Sequence, residues 1–181
     1  HAAILDIQKS VRPLQKLSKD KFLSQKLFES YKLMGDRNKV ISVNVRRKNR
    51  ENPKVLLAED DRFTANYASS ILSNEYDLIL AKNGEEAISA YIEHAPDICF
   101  LDIHLPGITG HQTLSAIKAI DPNAFVVMLS VDTVQNNIIQ ASQIGARSFL
   151  KKPFSKERLL NTVKTSPYIK DIPLADSERL H

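Results

Sequence analysis

The chain has 181 residues, of which 43% are hydrophobic and 25% are charged, and its formal net charge is +4. This length allows one domain of ordinary size plus an extension, and no apolar run approaches the roughly 18 residues that a membrane-spanning helix needs. The single cysteine, Cys99, excludes an internal disulfide and suits a reducing compartment, so we expect a cytoplasmic protein without a membrane span.

Positive charge is concentrated in the first third of the chain. Residues 1–53 hold 13 Lys and Arg against 5 Asp and Glu, whereas residues 54–181 hold 12 against 16. The basic character therefore belongs to the N-terminal segment and is not a property of the rest of the chain.

The N-terminal segment has the apolar spacing of a helix. Apolar residues recur at steps of three and four between Ile4 and Met34, so we predict a basic helical extension over 1–37, bent at Pro13. Leucines interleaved with lysines favour packing against the chain's own domain or a twin subunit, and they are also compatible with nucleic acid or a membrane surface. Residues 38–53 are predicted to be a linker, with a short strand as the alternative.

From residue 54 onward, short apolar runs alternate with amphipathic segments. The predicted strands cover 55–58, 77–81, 98–101, 125–129 and 148–150, and the predicted helices cover 63–72, 85–92, 111–120, 133–144 and 155–165. Five short strands that are each followed by a helix are typical of a doubly wound α/β protein, in which helices cover both faces of a parallel sheet.

The residues after this alternating region have a different pattern. The alternation ends near residue 166, and Pro167 and Pro173 then interrupt the chain. Residues 175–180 have the pattern of a capped helix start. We therefore predict a main domain over 54–166 and assign 167–181 to a linker or to the start of a truncated output domain, so that the chain would be a fragment.

Polar residues follow four of the five predicted strands. Glu59 and Asp60 follow strand one, Asp102 follows strand three, Ser130 follows strand four and Lys152 follows strand five. Crossovers between parallel strands are right-handed, so the carboxyl ends of the strands share one edge, where ligands bind. Converging carboxylates repel one another unless a cation binds, and oxygen ligands suit Mg²⁺. With a hydroxyl and an ammonium beside them, they supply what phosphoryl transfer to a carboxylate requires.

These residues resemble the receiver (CheY-like) domains of two-component response regulators over roughly 54–166. The matching stretches are VLLAEDD, LDIHLPGITG, VVMLS and FLKKPF. The resemblance implies a flavodoxin/CheY-like five-stranded sheet in the order 2-1-3-4-5. It also implies a bacterial phosphoprotein that receives its phosphoryl group from a histidine kinase or a phosphotransfer protein, and that assists only its own phosphorylation and dephosphorylation instead of acting as an enzyme.

The resemblance also implies a phosphoacceptor and a metal site. Asp102 is expected to accept the phosphoryl group, and Mg²⁺ is the expected cofactor. The ion is expected to bind Asp60 and Asp102 directly, Glu59 through water and the backbone carbonyl of His104.

The same resemblance implies phosphoryl contacts and a switch. Ser130 and Lys152 are expected to hold the phosphoryl oxygens, and the bond between Lys152 and Pro153 is expected to be cis. Phe149 matches the aromatic switch of the family: when the Ser130 hydroxyl moves toward the phosphoryl group, the ring turns inward. The surface formed by helix four, strand five and helix five, called the α4-β5-α5 face below, would then change and control an output domain or assembly. Homodimerisation is expected through this face or the N-terminal helix.

Three residues beside the expected site are candidates for changing the rate of phosphoryl loss. Val131 is larger than the Ala or Gly usual in the family, and the His104 side chain and Asp132 flank the site. None of these features removes a required group. The complete set of acids, hydroxyl and lysine therefore argues against the alternative function, a pseudo-receiver that mediates interactions or dimerisation without phosphorylation.

Two other functions on related folds fit the sequence less well. A flavodoxin-like domain that binds a phosphate cofactor would need Ser, Thr or Gly after strand one, and the loop here is acidic. A haloacid-dehalogenase-type phosphatase would need an acid two residues after its nucleophile, where this chain has His104.

Overall fold

The computed structural model describes residues 43–48, 50–131 and 134–170. In this part of the chain, the strands are β1 Lys54–Ala58, β2 Asp77–Ala81, β3 Ile98–Asp102, β4 Val126–Ser130 and β5 Ser148–Lys151. The helices that follow them are α1 Arg62–Leu72, α2 Gly84–His94, α3 Gly110–Ile120, α4 Gln135–Ile144 and α5 Lys156–Val163. The predictions for 1–37 and for residues 171–181 of the tail lie outside the described residues.

The five strands form one parallel sheet in the order β2-β1-β3-β4-β5. The α/β fold and the strand order 2-1-3-4-5 predicted from the sequence are therefore confirmed. The strand order reverses at β1 and β3, which lie side by side although β2 separates them along the chain. In open sheets of this type, ligands bind outside the carboxyl ends of the strands at such a reversal.

The central strands β3 and β4 are apolar except for the last residue of each, because helices cover both faces of the sheet. Every residue of β3 and β4 is buried. Successive side chains point to opposite faces, so Cys99 and Leu101 belong to one core layer and Phe100 belongs to the other. Cys99 is fully buried, and burial raises the pKa of its thiol, in agreement with its predicted role as a small core residue.

Polar caps fix where the helices begin after the strands. Asp61 accepts a hydrogen bond from the Thr64 N–H at the start of α1. Thr109 and Gln112 form a capping box at the start of α3. Gly110 allows this end of α3 to approach the sheet closely, because a Cβ atom there would collide with the carbonyl oxygen of Asp102. No helix in the described ranges is both long enough and apolar enough to cross a bilayer.

The linker predicted over 38–53 is wrong for Val43–Lys48, which forms a short α-helix, and the alternative of a strand there is also wrong. We call this element the basic helix. Val43 is buried, and the Arg47 side chain forms an ion pair with Asp121, 74 positions away in the sequence. A helix of six residues is unstable alone, so these distant contacts account for a helix that the local pattern does not predict.

Candidate functional site

Three carboxylates converge at the carboxyl edge of the sheet. Glu59 and Asp60 directly follow β1, and Asp102 is the last residue of the adjacent strand β3. One oxygen from each carboxylate lies within 4.8 Å of the others. Glu59 and Asp102 are buried, whereas Asp60 is exposed. We call these three residues the acidic cluster, and its oxygen ligands with one open side suit a hard divalent cation.

Lys152 bridges the two buried carboxylates. Its Nζ donates hydrogen bonds to Glu59 Oε2 and to Asp102 Oδ2, and both distances are 2.8 Å. Lys152 follows β5, and its backbone N–H donates to the carbonyl oxygen of Ser130 at the end of β4. The peptide bond between Lys152 and Pro153 is cis, as predicted. Because β4 lies between β3 and β5, the ammonium group of Lys152 extends across the end of β4 to reach the acidic cluster.

Backbone groups orient the remaining oxygens of the buried carboxylates. Glu59 Oε1 accepts a hydrogen bond from the Asp61 N–H at 3.0 Å, and Asp102 Oδ1 accepts one from the His104 N–H at 2.9 Å. Asp61 is the N-cap residue of α1, and His104 lies two residues beyond the end of β3, so both donors belong to the segments by which the chain leaves the sheet. The two carboxylates are thus oriented by the fold itself, before any ligand binds.

The charges of the site are not balanced. Burial raises the pKa of Glu59 from 4.5 to about 7, against the opposing effect of hydrogen bonds from Lys152 and Asp61, and the nearby Asp102 raises it further. Burial alone would lower the pKa of Lys152, but its hydrogen bonds to Asp102 and Glu59 outweigh burial and raise it. Lys152 thus bonds to two of the three carboxylates of the acidic cluster, and a bound cation would relieve the remaining repulsion.

The predicted phosphoryl-binding and switch residues lie on the neighbouring strands. Ser130 is buried and ends β4, which is adjacent to β3. Phe149 lies opposite Met128 in the pairing of β4 with β5, is half-buried and packs against the core layer that contains Met128. Ser130 thus ends the strand next to the one that carries Asp102, and Phe149 lies on the strand that Lys152 follows.

Two of the three candidate rate-modulating residues, Val131 and His104, are exposed next to the ends of β4 and β3. The Val131 side chain is 62% exposed immediately after β4. His104 is also exposed, and its N–H contacts Asp102. Asp132 lies outside the described residues.

The sequence analysis missed an exposed aromatic surface beside the acidic cluster. Phe63, at the start of α1, is 89% exposed, and Tyr67, one turn later, is 45% exposed. The Tyr67 ring lies 6.0 Å from that of Phe154, which follows the cis proline. The sequence pattern does not reveal this surface, because Phe63 and Tyr67 precede the buried Ile71 at steps of four and therefore follow the apolar spacing of a buried helix face.

The part of the chain that contains the acidic cluster and Lys152 is similar to known proteins. The response regulator receiver domain family matches residues 55–164. Chemotaxis protein CheY of Bacillus subtilis is 35% identical over 112 residues, which cover 61% of this chain and 93% of that protein. Sensory transduction protein LytT of Oceanobacillus iheyensis is 34% identical over 107 residues, which cover 58% of this chain and 44% of LytT.

A solved structure shows the same architecture. Chemotaxis protein CheY4 of Vibrio cholerae aligns with a TM-score of 0.61 and 25% identity, covering 64% of this chain and 98% of CheY4. The family match covers more than half of the 181 residues, and the strand order agrees with it. The chain therefore belongs to the response regulator receiver family of two-component signalling.

Proposed function

We propose that Asp102 accepts a phosphoryl group and thereby switches this receiver domain. The observation that carries the proposal is the pair of 2.8 Å hydrogen bonds from Lys152 to Asp102 and Glu59, within an acidic cluster suited to a divalent cation. Asp102 occupies the middle of the site, because β3 lies between β1, which carries the other two acids, and β4, which carries Ser130. It is therefore the carboxylate that both groups of ligands can serve.

The proposed donor is a phosphohistidine of a histidine kinase or a phosphotransfer protein. A carboxylate oxygen of Asp102 attacks the phosphorus, so that a P–O bond forms, the P–N bond breaks and the departing imidazole nitrogen takes up a proton. Lys152 and Ser130 hold the phosphoryl oxygens as they move onto Asp102. The exposed rings of Phe63 and Tyr67 give the donor protein an apolar surface beside the acidic cluster.

Mg²⁺ is the proposed cofactor because the acidic cluster supplies only oxygen ligands. Asp60 and Asp102 are assigned as direct ligands, Glu59 as a ligand through water and the His104 carbonyl as the backbone ligand. When bound, the ion would neutralise charge on the carboxylates and on the phosphoryl oxygens. Lys152 supplies the second positive charge, which the fold holds in place.

The proposed switch runs from Ser130 to the α4-β5-α5 face. A shift of the Ser130 hydroxyl toward the phosphoryl group opens space for the half-buried Phe149 ring, and the altered packing changes this face. Helix α4 contains no charged residue, and Ile139 on it is 46% exposed. An uncharged surface of this kind suits assembly into a homodimer or contact with an output domain.

The test is native mass spectrometry with Mg²⁺ and acetyl phosphate. The wild-type chain is expected to gain the mass of one phosphoryl group, and Asp102→Asn is expected to gain none. Asp77→Asn is the matched control, because Asp77 is exposed on the edge strand β2, and it should be phosphorylated like the wild type. If the wild type gains no phosphoryl group, or if Asp102→Asn gains as much, Asp102 is not the acceptor.

The same spectra test the readout of the switch. If the α4-β5-α5 face drives assembly, the phosphorylated wild type shifts from monomer to dimer, and Ile139→Asp abolishes the shift without preventing phosphorylation. If phosphoryl groups add and the monomer remains, assembly is not the output of this domain.

A further inference from the structure

The amino ends of the strands carry a second group of buried charges, far from the acidic cluster. Asp97 directly precedes β3 and Asp121 directly follows α3, and they are 1% and 2% exposed. A buried carboxylate is costly unless a cation pairs with it. Both cations come from the segment before the domain: Arg47 pairs with Asp121, and Arg50 Nη1 lies 3.1 Å from Asp97 Oδ2.

Two arginines of this segment also bind the end of α2. Arg46 donates hydrogen bonds to the carbonyl oxygens of Ile92 and Glu93, and Arg50 donates to that of His94. The last carbonyl groups of a helix have no partner within the helix, and they carry partial negative charge that attracts cations. The arginines therefore satisfy groups that would otherwise depend on water.

The segment after α5 packs against Arg47 and Asp97 at the same end of the sheet. The Arg47 guanidinium carbon lies 4.3 Å from the centre of the Tyr168 ring, and the Tyr168 hydroxyl donates to the Asn123 carbonyl at 2.7 Å. The Ser166 hydroxyl donates to the carbonyl oxygen of Asp97 at 2.6 Å. Arg47 thus lies between a carboxylate and an aromatic face, both of which attract its charge, and it is only 5% exposed.

We propose that this end of the sheet is an intramolecular docking site for the chain's own basic segment, with Arg47 as its anchor. We call these contacts together the arginine clasp: those of Arg47 with Asp121 and Tyr168, that of Arg50 with Asp97, and the hydrogen bonds of Arg46 and Arg50 to the end of α2. The clasp holds the chain segments on both sides of the domain at one place. A basic helix docked in this way has its arginines occupied, so they are withheld from phosphate groups or acidic proteins until the clasp opens.

The arginine clasp lies at the opposite end of the sheet from the proposed site of phosphoryl transfer. The five residues of β3 extend about 16 Å between the Asp97 end and Asp102. The basic helix ends at Lys48 and β1 begins at Lys54, so only a short loop has to close for the helix to dock on its own domain. The short connection favours docking within one chain over exchange between two copies.

Hydrogen exchange of the full chain, measured by mass spectrometry, tests the clasp. Arg47→Met is expected to raise the exchange rates of both 43–48 and 166–169 on the order of 100-fold, because Asp121 is left buried without its cation. Lys48→Met is the matched control: it removes the same charge from an exposed position of the same helix and should change neither. If Arg47→Met leaves either segment as protected as in the control, the clasp is refuted.

A milder variant covers the case in which Arg47→Met unfolds the domain. Tyr168→Leu keeps the ion pair and removes only the ring over Arg47, so the strands should stay protected while 43–48 exchanges at least about tenfold faster. Unchanged exchange at 43–48 would contradict the proposal. Protection of 43–48 that rises with protein concentration would also overturn it, because docking would then join two copies.

Discussion

The two ends of the same sheet both bury carboxylates beside cations, yet their charges balance differently. In the arginine clasp, two carboxylates pair with two guanidinium groups, and Tyr168 covers one of the pairs. In the acidic cluster, the ammonium group of Lys152 bonds to two of the three carboxylates, Glu59 and Asp102. The formal charges of the two pairs in the clasp cancel within the chain, although Arg47 Nε, Arg47 Nη1 and Asp97 Oδ1 are buried without a hydrogen bond. The carboxylates of the acidic cluster, by contrast, outnumber the ammonium group beside them.

This difference separates charges that are paired within the fold from charges that are available to bind a ligand. A balanced, buried set stabilises one arrangement and loses much when one member is removed. An unbalanced set is held in place at some cost in stability, and the raised pKa of Glu59 records part of that cost. The two ends of the sheet should therefore respond differently to the removal of a charge, to Mg²⁺ and to pH.

The largest effect on stability is expected at the clasp. Asp121→Ala should lower the free energy of unfolding by about 3–5 kcal/mol, because it leaves the Arg47 charge buried and unpaired and removes the acceptor of the Tyr91 hydroxyl. Phosphoryl acceptance per folded molecule should not change. Urea denaturation measures the first quantity and native mass spectrometry the second. Asp77→Ala, at an exposed site, is the control. If both variants have the same urea midpoint, the clasp does not stabilise the fold in the way that the comparison of the two ends requires.

A second effect should appear only at the acidic cluster. Mg²⁺ at about 100 times its dissociation constant should raise the free energy of unfolding of the wild type by about 2.7 kcal/mol, since the ion binds only the folded chain. Asp102→Asn should lose most of this gain, whereas Asp121→Ala should keep it. Thermal melts in MgCl₂ and in EDTA measure the difference. A gain of equal size in Asp102→Asn would place the ion elsewhere.

The pH dependence of the free energy of unfolding should reflect the raised pKa of the buried Glu59 in the acidic cluster. Without Mg²⁺, Glu59 keeps its proton up to about pH 7 in the folded chain, although the ordinary pKa is 4.5. Between these values the folded state binds more protons than the unfolded state, so this group's contribution to stability is present below pH 4.5 and is lost as the pH rises toward 7. The wild type should therefore lose stability relative to Glu59→Gln over this range. Urea denaturation at pH 5 and pH 8 measures it, and a relative gain at pH 8 would contradict the assignment.

The smallest effect on stability is expected next to the acidic cluster. Val131 is 62% exposed, so Val131→Ala should change the free energy of unfolding by less than about 0.5 kcal/mol. If Val131 restricts the access of water to the phosphoryl group, the variant should lose that group faster. The mass of the phosphorylated species, followed over time after acetyl phosphate is removed, gives the rate. An unchanged rate would remove Val131 from the candidate rate-modulating residues.

The sequence predicted the sheet and the convergence at its carboxyl edge because both depend on regular rules. Strand positions follow from short apolar runs, and the error at β4 was one residue: 125–129 was predicted, and Val126–Ser130 was found. Once the strands are parallel, topology alone brings the residues after β1, β3, β4 and β5 to one edge. The approach of Lys152 to Asp102 follows from this rule.

The sequence could not predict what depends on distant partners. The basic helix is stabilised by Asp121 and by the carbonyl groups that end α2, and no local pattern encodes those contacts. The raised pKa of Glu59 depends on how deeply the folded chain buries it, which the residue type does not reveal. The exposure of Phe63 was not predictable either, because Phe63, Tyr67 and the buried Ile71 follow one another at the steps of four that usually mark a buried helix face.

The burial of Cys99 makes the natural chain a convenient background for site-specific labelling. It is the chain's single cysteine, lies within β3 and is fully buried, and its raised thiol pKa further disfavours the reactive thiolate. Maleimide or methanethiosulfonate reagents should therefore leave it unmodified in the native protein. Cysteines introduced at the exposed positions Val45 and Ile139 would then carry the only probes, and distances between the basic helix and α4 could be followed during signalling without first removing a native thiol.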